Sequence, residues 1–253
     1  NKASRAKIAA AHTEDWEERY SHAIRVSIVN SDVYSPDSQC FITTPIVENM
    51  PVVLCSLDSV EAIFTYSLGK TAVLNFASYK NPGGGFMAGS RAQEECLCHE
   101  SFLYNVLQDF TEYYEWNNEH KNSSLYTNRA IYSPDIIFEH DGKVQKCDVI
   151  TCAAPNITPS RKYGWGITDE QNSAALESRI KFILDIAASK RVDTLILGAY
   201  GCGVFGQDAT EVISLFKKYL STTHKVFKQV IFAIPNDVHG ENYEKAYNVL
   251  KED

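Results

Sequence analysis

The chain has 253 residues, 44% of them hydrophobic, which is enough for a substantial core within a single domain. Its formal net charge of −8 argues against a broad surface for DNA or another polyanion, because such surfaces need clustered lysine and arginine. The 7 cysteines are odd in number and lie mostly in apolar runs, which favours reduced thiols over a disulfide framework. No apolar run approaches the length of a membrane span. We therefore expect an intracellular, cytoplasmic protein that binds neither DNA nor membranes; a nuclear location stays open if the source is eukaryotic.

Helices and strands alternate along the predicted chain. Apolar spacing and capping residues predict helices over residues 4–20, 60–68, 93–107, 168–189, 208–220 and 243–251. Short apolar runs predict strands over residues 52–57, 71–77, 148–154, 194–200 and 229–235. The segment 109–145 reads as irregular, with a tight turn at residues 140–142. Asp58 or Ser59 is expected to cap the second helix, and Thr168 with Gln171 forms a predicted capping box.

Such alternation indicates a layered α/β fold. In folds of this class the ligand crevice lies outside the carboxyl ends of the strands. Three segments follow predicted strands directly: the glycines at 83–85, Pro155-Asn156, and the glycine-rich loop at 201–206. We therefore expect one pocket to collect all three.

The segment from Asn81 to Glu95 carries the strongest functional signal. Consecutive glycines are unfavourable in a strand or helix, but they let backbone N–H groups approach a ligand closely. Glu94 and Glu95 follow at the start of a predicted helix, where the helix dipole alone would also favour acidic residues. Adjacent helical residues point about 100° apart, so the two carboxylates can perform different tasks.

The loop from Gly201 to Gly206 has the glycine spacing of a dinucleotide-binding turn. The acidic residue expected about 20 positions later is missing and only one strand follows, so we do not expect an NAD site. The loop amides can still bind a diphosphate; a tight turn without a ligand is the alternative. The cluster Cys96, Cys98 and His99 is too closely spaced for a structural zinc site, and we expect neither a metal nor a cofactor.

Residues 75–85, Asn-Phe-Ala-Ser-Tyr-Lys-Asn-Pro-Gly-Gly-Gly, followed after a spacer by Gln93-Glu94-Glu95, resemble the signature of poly(ADP-ribose) glycohydrolases, above all of the microbial branch. The resemblance continues through residues 130–135, 149–156 and 197–205. It implies a three-layer α/β/α macrodomain with a mixed central sheet. The whole chain, 1–253, would be one glycohydrolase domain, with an N-terminal helical extension over 1–50 and a macrodomain core over 51–253.

The resemblance also implies residue roles. Glu95 would be the catalytic acid, and Glu94 would hydrogen-bond the ribose and position the scissile linkage. Ser78 stands where many binding macrodomains have Asn, which leaves Asn81 as the expected ribose contact. Substrate binding is implied for Asn81, Gly83, Gly84, Gly85, Gln93, Asn156, Gly201, Cys202, Gly203, Val204 and Phe205.

The implied reaction is hydrolysis of the ribose–ribose O-glycosidic bond of poly(ADP-ribose), which releases ADP-ribose and reverses ADP-ribosylation. The acidic net charge favours action from chain ends, because the interior of a polyanion would be repelled. The implied partners are the polymer, ADP-ribose and ADP-ribosylated proteins, bound by a monomer. Two alternatives stay open: a hydrolase of mono-ADP-ribosylated proteins or O-acetyl-ADP-ribose, and a non-catalytic ADP-ribose reader. A reader would need the loops but not the Glu94–Glu95 pair.

Overall fold

The centre of the molecule is a 7-stranded mixed sheet. The computed structural model describes residues 1–237 and 240–251. The strands are β1 Asp32–Tyr34, β2 Val52–Cys55, β3 Thr71–Phe76, β4 Ala130–His140, β5 Lys143–Cys152, β6 Thr194–Leu197 and β7 Gln229–Ala233. Their order across the sheet is β1-β4-β5-β3-β6-β7-β2. Strands β5, β3, β6, β7 and β2 run parallel, whereas β4 and β1 form an antiparallel edge.

Helices cover both faces of this sheet. They are α1 Lys2–Arg19, α2 Ser21–Asn30, α3 Ser59–Tyr66, α4 Gln93–His99, α5 Leu103–Leu107, α6 Thr111–Glu119, α7 Thr158–Tyr163, α8 Asp169–Ser189, α9 Ala209–Leu220 and α10 Asn242–Leu250. Short 3₁₀ turns occupy Phe86–Ala88 and Asn122–Ser124. Within the residues that the structure describes, no helix has the length and apolar character needed to cross a bilayer.

The alternation of side chains along the strands builds a core on each face. On β3, Leu74 belongs to the core that includes Ile183 of α8 and Phe216 of α9. Its neighbour Val73 belongs to the other core, with Ile63 of α3. The expected layered α/β fold with a mixed central sheet is therefore confirmed.

The prediction that residues 109–145 are irregular is wrong, because α6 and most of the β4–β5 hairpin lie there. Pro134 lies inside β4 and hides the strand pattern; the strand tolerates it because the pairing register shifts between Ser133 and Ile136. The predicted tight turn is confirmed. Asp141 and Gly142 join the two strands with φ values of 48° and 75°, as a two-residue hairpin turn with positive φ at both positions requires.

The helix predicted over residues 93–107 is interrupted, and the interruption sits beside Ser101. The Ser101 hydroxyl donates to the Leu97 carbonyl at 2.6 Å and accepts from the Leu103 N–H at 3.1 Å. A serine side chain that bonds to the local backbone competes with helical hydrogen bonds, so α4 ends at His99 and α5 begins at Leu103.

The N-terminal segment differs from the expected helical extension in one respect. It contains α1 and a second helix, α2, but it also supplies strand β1, which pairs with β4 at the sheet edge. A three-residue strand carries too little periodicity to be recognised from sequence. The two predicted helix caps are present: Asp58 forms a capping box with Glu61, and Thr168 forms one with Gln171.

Candidate active site

A cleft of about 930 Å³ opens at the carboxyl ends of the parallel strands. Its walls come from the segments that follow β3, β5, β6 and β7. The predicted site residues that line it are Asn81, Gly84, Gly85, Gln93, Glu94, Glu95, Asn156, Gly201, Cys202, Gly203, Val204 and Phe205. The expectation of one pocket that gathers both glycine segments and Asn156 is confirmed.

The cleft begins where β3 and β6 separate. Their pairing stops at Val73 and Ile196, and the side chain of Gln93 bonds to the backbone of β3 beyond that point. Its amide oxygen accepts from the Phe76 N–H at 2.8 Å, and its amide nitrogen donates to the Leu74 carbonyl at 2.8 Å. The same nitrogen donates to the Ser59 hydroxyl at 3.0 Å. Gln93 thus fastens the start of α4 to β3 and α3, and it orients the two carboxylates that follow.

Glu94 is almost fully enclosed, with 2% of its surface exposed. Its Oε1 accepts from the Ser78 N–H at 2.8 Å, and its Oε2 accepts from the amide nitrogen of Asn75 at 2.8 Å. Desolvation raises the pKa of Glu94 to about 8, although the bonds from Ser78 and Asn75 oppose this shift. Glu94 is therefore a fixed and largely protonated group at neutral pH.

Glu95 has a different environment, although it is also mostly buried. Its Oε1 accepts from the Gly85 N–H at 3.2 Å. Within residues 1–237 and 240–251, no hydrogen bond engages its Oε2. Glu95 thus touches the glycine loop and keeps one oxygen available to a ligand in the cleft.

The conformation and close contacts of the glycine loop at residues 83–85 leave little room for larger side chains. Gly84 has a φ of +61°, and a Cβ there would lie 3.0 Å from Oε1 of Glu94 and 3.3 Å from Oε1 of Glu95. A side chain at Gly84 would therefore disturb both carboxylates at once. Gly83, which was expected at the substrate, does not line the cleft. A Cβ at Gly83 would point into the core, 2.8 Å from the ring of Tyr104.

The second glycine loop forms another part of the cleft wall and is hydrogen-bonded to the start of α7. The Phe205 carbonyl accepts from the Ile157 N–H at 3.0 Å, and the Val204 carbonyl accepts from the Thr158 hydroxyl at 2.6 Å. Gly203 lines the cleft and is exposed, and a Cβ there would meet open space. Burial raises the pKa of the Cys202 thiol to about 12, so this cysteine is protonated and is not an activated nucleophile.

Several residues in the cleft were not singled out from the sequence as site residues. Tyr126 lines it, stacked on Tyr79 at 4.2 Å between ring centroids and tilted towards Phe205 at 6.0 Å. Lys80 and Arg91 also line the cleft and flank the glycine loop in the chain. No local motif marks Tyr126, because it reaches the cleft through a turn with a φ of +61° that only the folded chain shows. The parts of the chain that the structure describes contain no group of three or more His, Cys, Asp or Glu residues that could hold a metal ion.

Comparisons with known proteins agree with this geometry. The family model described as "Microbial-type PARG, catalytic domain" matches residues 10–141, just over half of the chain. The chain is 26% identical to the poly(ADP-ribose) glycohydrolase of Thermomonospora curvata solved with the inhibitor ADP-HPD; the match covers 97% of this chain and 99% of that one, with a TM-score of 0.83. It is 28% identical to the Deinococcus radiodurans enzyme solved with ADP-ribose, over 91% of this chain and 98% of that one, with a TM-score of 0.77. The curated proteins gave no match. This chain belongs to the microbial-type poly(ADP-ribose) glycohydrolase family.

Proposed function

We propose that this chain hydrolyses the ribose–ribose O-glycosidic bond of poly(ADP-ribose) and releases ADP-ribose. One observation carries the proposal: two adjacent carboxylates on α4 lie against a glycine loop in a cleft that a second glycine loop also lines. Family membership supports it, as do the similar structures solved with ADP-ribose and ADP-HPD.

The different surroundings of the two carboxylates support a division of work between them. Glu94 is held through both oxygens, which suits a group that fixes the ribose and the linkage. Glu95 has an oxygen to which none of the described residues hydrogen-bonds, which suits a group that transfers a proton. Glu95 is therefore the proposed catalytic residue.

In the proposed reaction, protonated Glu95 donates its proton to the leaving ribose oxygen while the bond from that oxygen to the anomeric carbon breaks. The anomeric carbon gains oxocarbenium character, which the nearby diphosphate stabilises. The ionised Glu95 then accepts a proton from water, whose oxygen bonds to the anomeric carbon. One carboxylate thus serves as acid and then as base, in contrast to the usual two-carboxylate glycosidase.

The two glycine loops are proposed to bind different parts of the ligand. Asn81, Gly84 and Gly85 are proposed to contact the reacting ribose, while the backbone from Gly201 to Phe205 holds the diphosphate. Phe205 of that loop lies beside Tyr126, with 6.0 Å between their ring centroids, so the two rings form an aromatic part of the cleft wall. Asn156 lies at the rim, with its side-chain oxygen accepting from the Thr158 N–H at 3.2 Å.

We propose action from chain ends, because a protein with a net charge of −8 repels the interior of a polyanion. The proposed partners are the polymer, free ADP-ribose and ADP-ribosylated proteins, bound by a monomer. Early release of ADP-ribose is the expected product pattern, whereas early long oligomers would contradict the chain-end mode.

The test is Glu95→Gln, assayed on labelled polymer and on mono-ADP-ribosylated protein with the products resolved. We expect polymer hydrolysis to fall about 10²- to 10⁴-fold, as for loss of a general acid and base, with ADP-ribose binding retained. Glu170→Gln is the matched control, since Glu170 is an exposed residue in the first turn of α8 and should leave the rate unchanged.

Three outcomes would count against the proposal. A near-normal rate in Glu95→Gln would remove the catalytic assignment. Wild-type activity on mono-modified protein alone would favour the mono-ADP-ribosyl hydrolase. Binding of ADP-ribose without any hydrolysis by the wild-type protein would indicate a reader.

A further inference from the structure

Arg179 of α8 is a buried cation whose partners are all neutral. Its side chain is 2% exposed. Its Nε donates to the side-chain oxygen of Asn128 at 2.7 Å, its Nη1 to the Ala153 carbonyl at 2.6 Å, and its Nη2 to the Leu125 carbonyl at 2.9 Å. Among residues 1–237 and 240–251, no carboxylate pairs with it. Burying a charge without a counter-charge costs free energy, so this arrangement calls for a reason.

Two of the three acceptors place Arg179 behind the cleft wall near the second glycine loop. Ala153 is followed by Ala154, and a Cβ on Gly201 would lie 2.8 Å from the Cβ of Ala154. Leu125 is followed by Tyr126, which lines the cleft beside Phe205. Two carbonyls that Arg179 binds thus belong to residues directly followed in the chain by residues at the second glycine loop.

The positive charge of Arg179 acts on the pKa values of two tyrosine hydroxyls in the cleft wall. Burial raises the pKa values of Tyr126 and Tyr200, and the positive charge of Arg179 acts in the opposite direction on both hydroxyls. Both tyrosines line the cleft. A charge behind a low-dielectric wall acts over longer distances than an exposed one, because water and ions screen it little.

The Gly201–Phe205 loop itself offers backbone groups and no cationic side chain. A bound diphosphate carries two negative charges, which backbone amides solvate without neutralising. We propose that the diphosphate of bound ADP-ribose is the counter-ion of Arg179, which attracts it through the cleft floor without touching it. This inference rests on the proposed function, which places the diphosphate on that loop.

A purely structural role is the competing explanation, because Arg179 also joins the segment 125–128 to Ala153. The two roles predict different dependence on ligand charge. Loss of a counter-charge weakens the binding of a diphosphate ligand and leaves the binding of a neutral nucleoside unchanged. Loss of a structural bond weakens both.

The experiment compares dissociation constants for ADP-ribose and for adenosine, the latter by chemical-shift titration, in Arg179→Gln and Arg179→Lys. We expect Arg179→Gln to weaken the binding of ADP-ribose at least about tenfold and to leave the binding of adenosine nearly unchanged, because one unscreened charge is lost. Arg179→Lys keeps the charge with fewer hydrogen bonds, so it should retain most of the ADP-ribose affinity. Lys181→Gln makes the same charge change at an exposed position of the same helix and should leave both constants unchanged.

Equal weakening of both ligands, or equal loss in Arg179→Lys and Arg179→Gln, would overturn the inference. If neither variant folds, the salt dependence of ADP-ribose binding to the wild-type protein still tests the inference. Attraction from a buried charge predicts an ADP-ribose affinity that changes less than about twofold between about 50 and 500 mM salt, whereas a tenfold fall would assign the attraction to exposed cations. Wild-type protein that fails to bind ADP-ribose would instead reject the proposed function.

Discussion

Glu94 and Glu95 show how one residue step along a helix changes the chemistry of a carboxylate. The step of about 100° turns Glu94 towards Asn75 and Ser78, and turns Glu95 towards Gly85. The sequence predicts that the two point apart. It does not predict which one is desolvated, because Asn75 lies on β3 and meets Glu94 only in the folded protein.

The raised pKa of Glu94 makes the stability of the protein depend on pH. An unperturbed glutamate has a pKa of 4.5, whereas the pKa of Glu94 in the folded protein is about 8. Below about pH 4.5 the group is protonated in both states and its favourable contribution is complete. That contribution is lost as the pH rises towards about 8, because the unfolded chain releases its proton while the folded protein holds it.

We therefore expect Glu94→Gln, which is neutral at every pH, to be more stable than the wild type at pH 8, by on the order of 4 kcal/mol. The two proteins should converge towards pH 4.5. Urea unfolding across this pH range measures the effect. A difference that is constant with pH, or one that grows towards acid, would show that Glu94 is ionised in the folded protein.

Helix α1 is the element that supports the glycine loop from outside the cleft. The Arg5 side chain donates from Nε to the Gly89 carbonyl at 2.7 Å, and a Cβ on Gly89 would lie 2.1 Å from the Lys2 carbonyl. Phe86 is fully buried between the rings of His12 and His99, at 6.0 and 4.7 Å. Since Gly85 binds Glu95, the position of α1 bears on the proposed catalytic carboxylate.

We predict that Arg5→Gln lowers kcat for polymer hydrolysis about three- to tenfold, with little change in KM, because small displacements of a reacting group are costly. The melting temperature should change by only a few degrees, as for loss of one partly buried hydrogen bond. Lys7→Gln is the control, since Lys7 is exposed on the same helix. A rise in KM at constant kcat would place Arg5 in ligand binding, and an unchanged rate would show that α1 does not position the loop.

Elements with a strong local signal were predicted and those made by distant contacts were not. The strand before the glycine loop, the capped helix α8 and the loop at 201–206 all carry caps, glycines or continuous apolar runs. Strand β4 was missed because Pro134 and a register shift break its pattern, and α6 because only tertiary packing buries Tyr113 and Tyr114. Tyr126 in the cleft and Arg179 behind the cleft wall were missed for the same reason. The hydrogen bonds of Arg179 reach residues 26 to 54 positions away in the sequence, and Tyr126 lies in an unusual turn.

At the scale of the whole molecule, the N-terminal segment is built into the same structure as the rest of the chain. Trp16 and Ile24 belong to one core, Met50 belongs to the core on the other face, and β1 extends the sheet through β4. Strand β3 contributes to both cores, so neither face can lose its packing without affecting the other. We therefore expect no independent folding unit at residues 1–50.

The prediction is a single cooperative unfolding transition. Replacing the two exposed tryptophans, as Trp116→Phe and Trp165→Phe, leaves Trp16 of α1 as the fluorescent reporter of the N-terminal segment. The melting temperature measured by Trp16 fluorescence should agree with the one measured by far-ultraviolet circular dichroism within about 2 °C, as two-state unfolding requires. ADP-ribose at about 100 times its Kd should raise both by about 5 to 10 °C, since ligand binding stabilises every element that unfolds with the site. A Trp16 fluorescence transition at a lower temperature than the dichroism transition would instead indicate two folding units with a boundary near residue 50. So would a ligand-induced rise in melting temperature that only the dichroism signal shows.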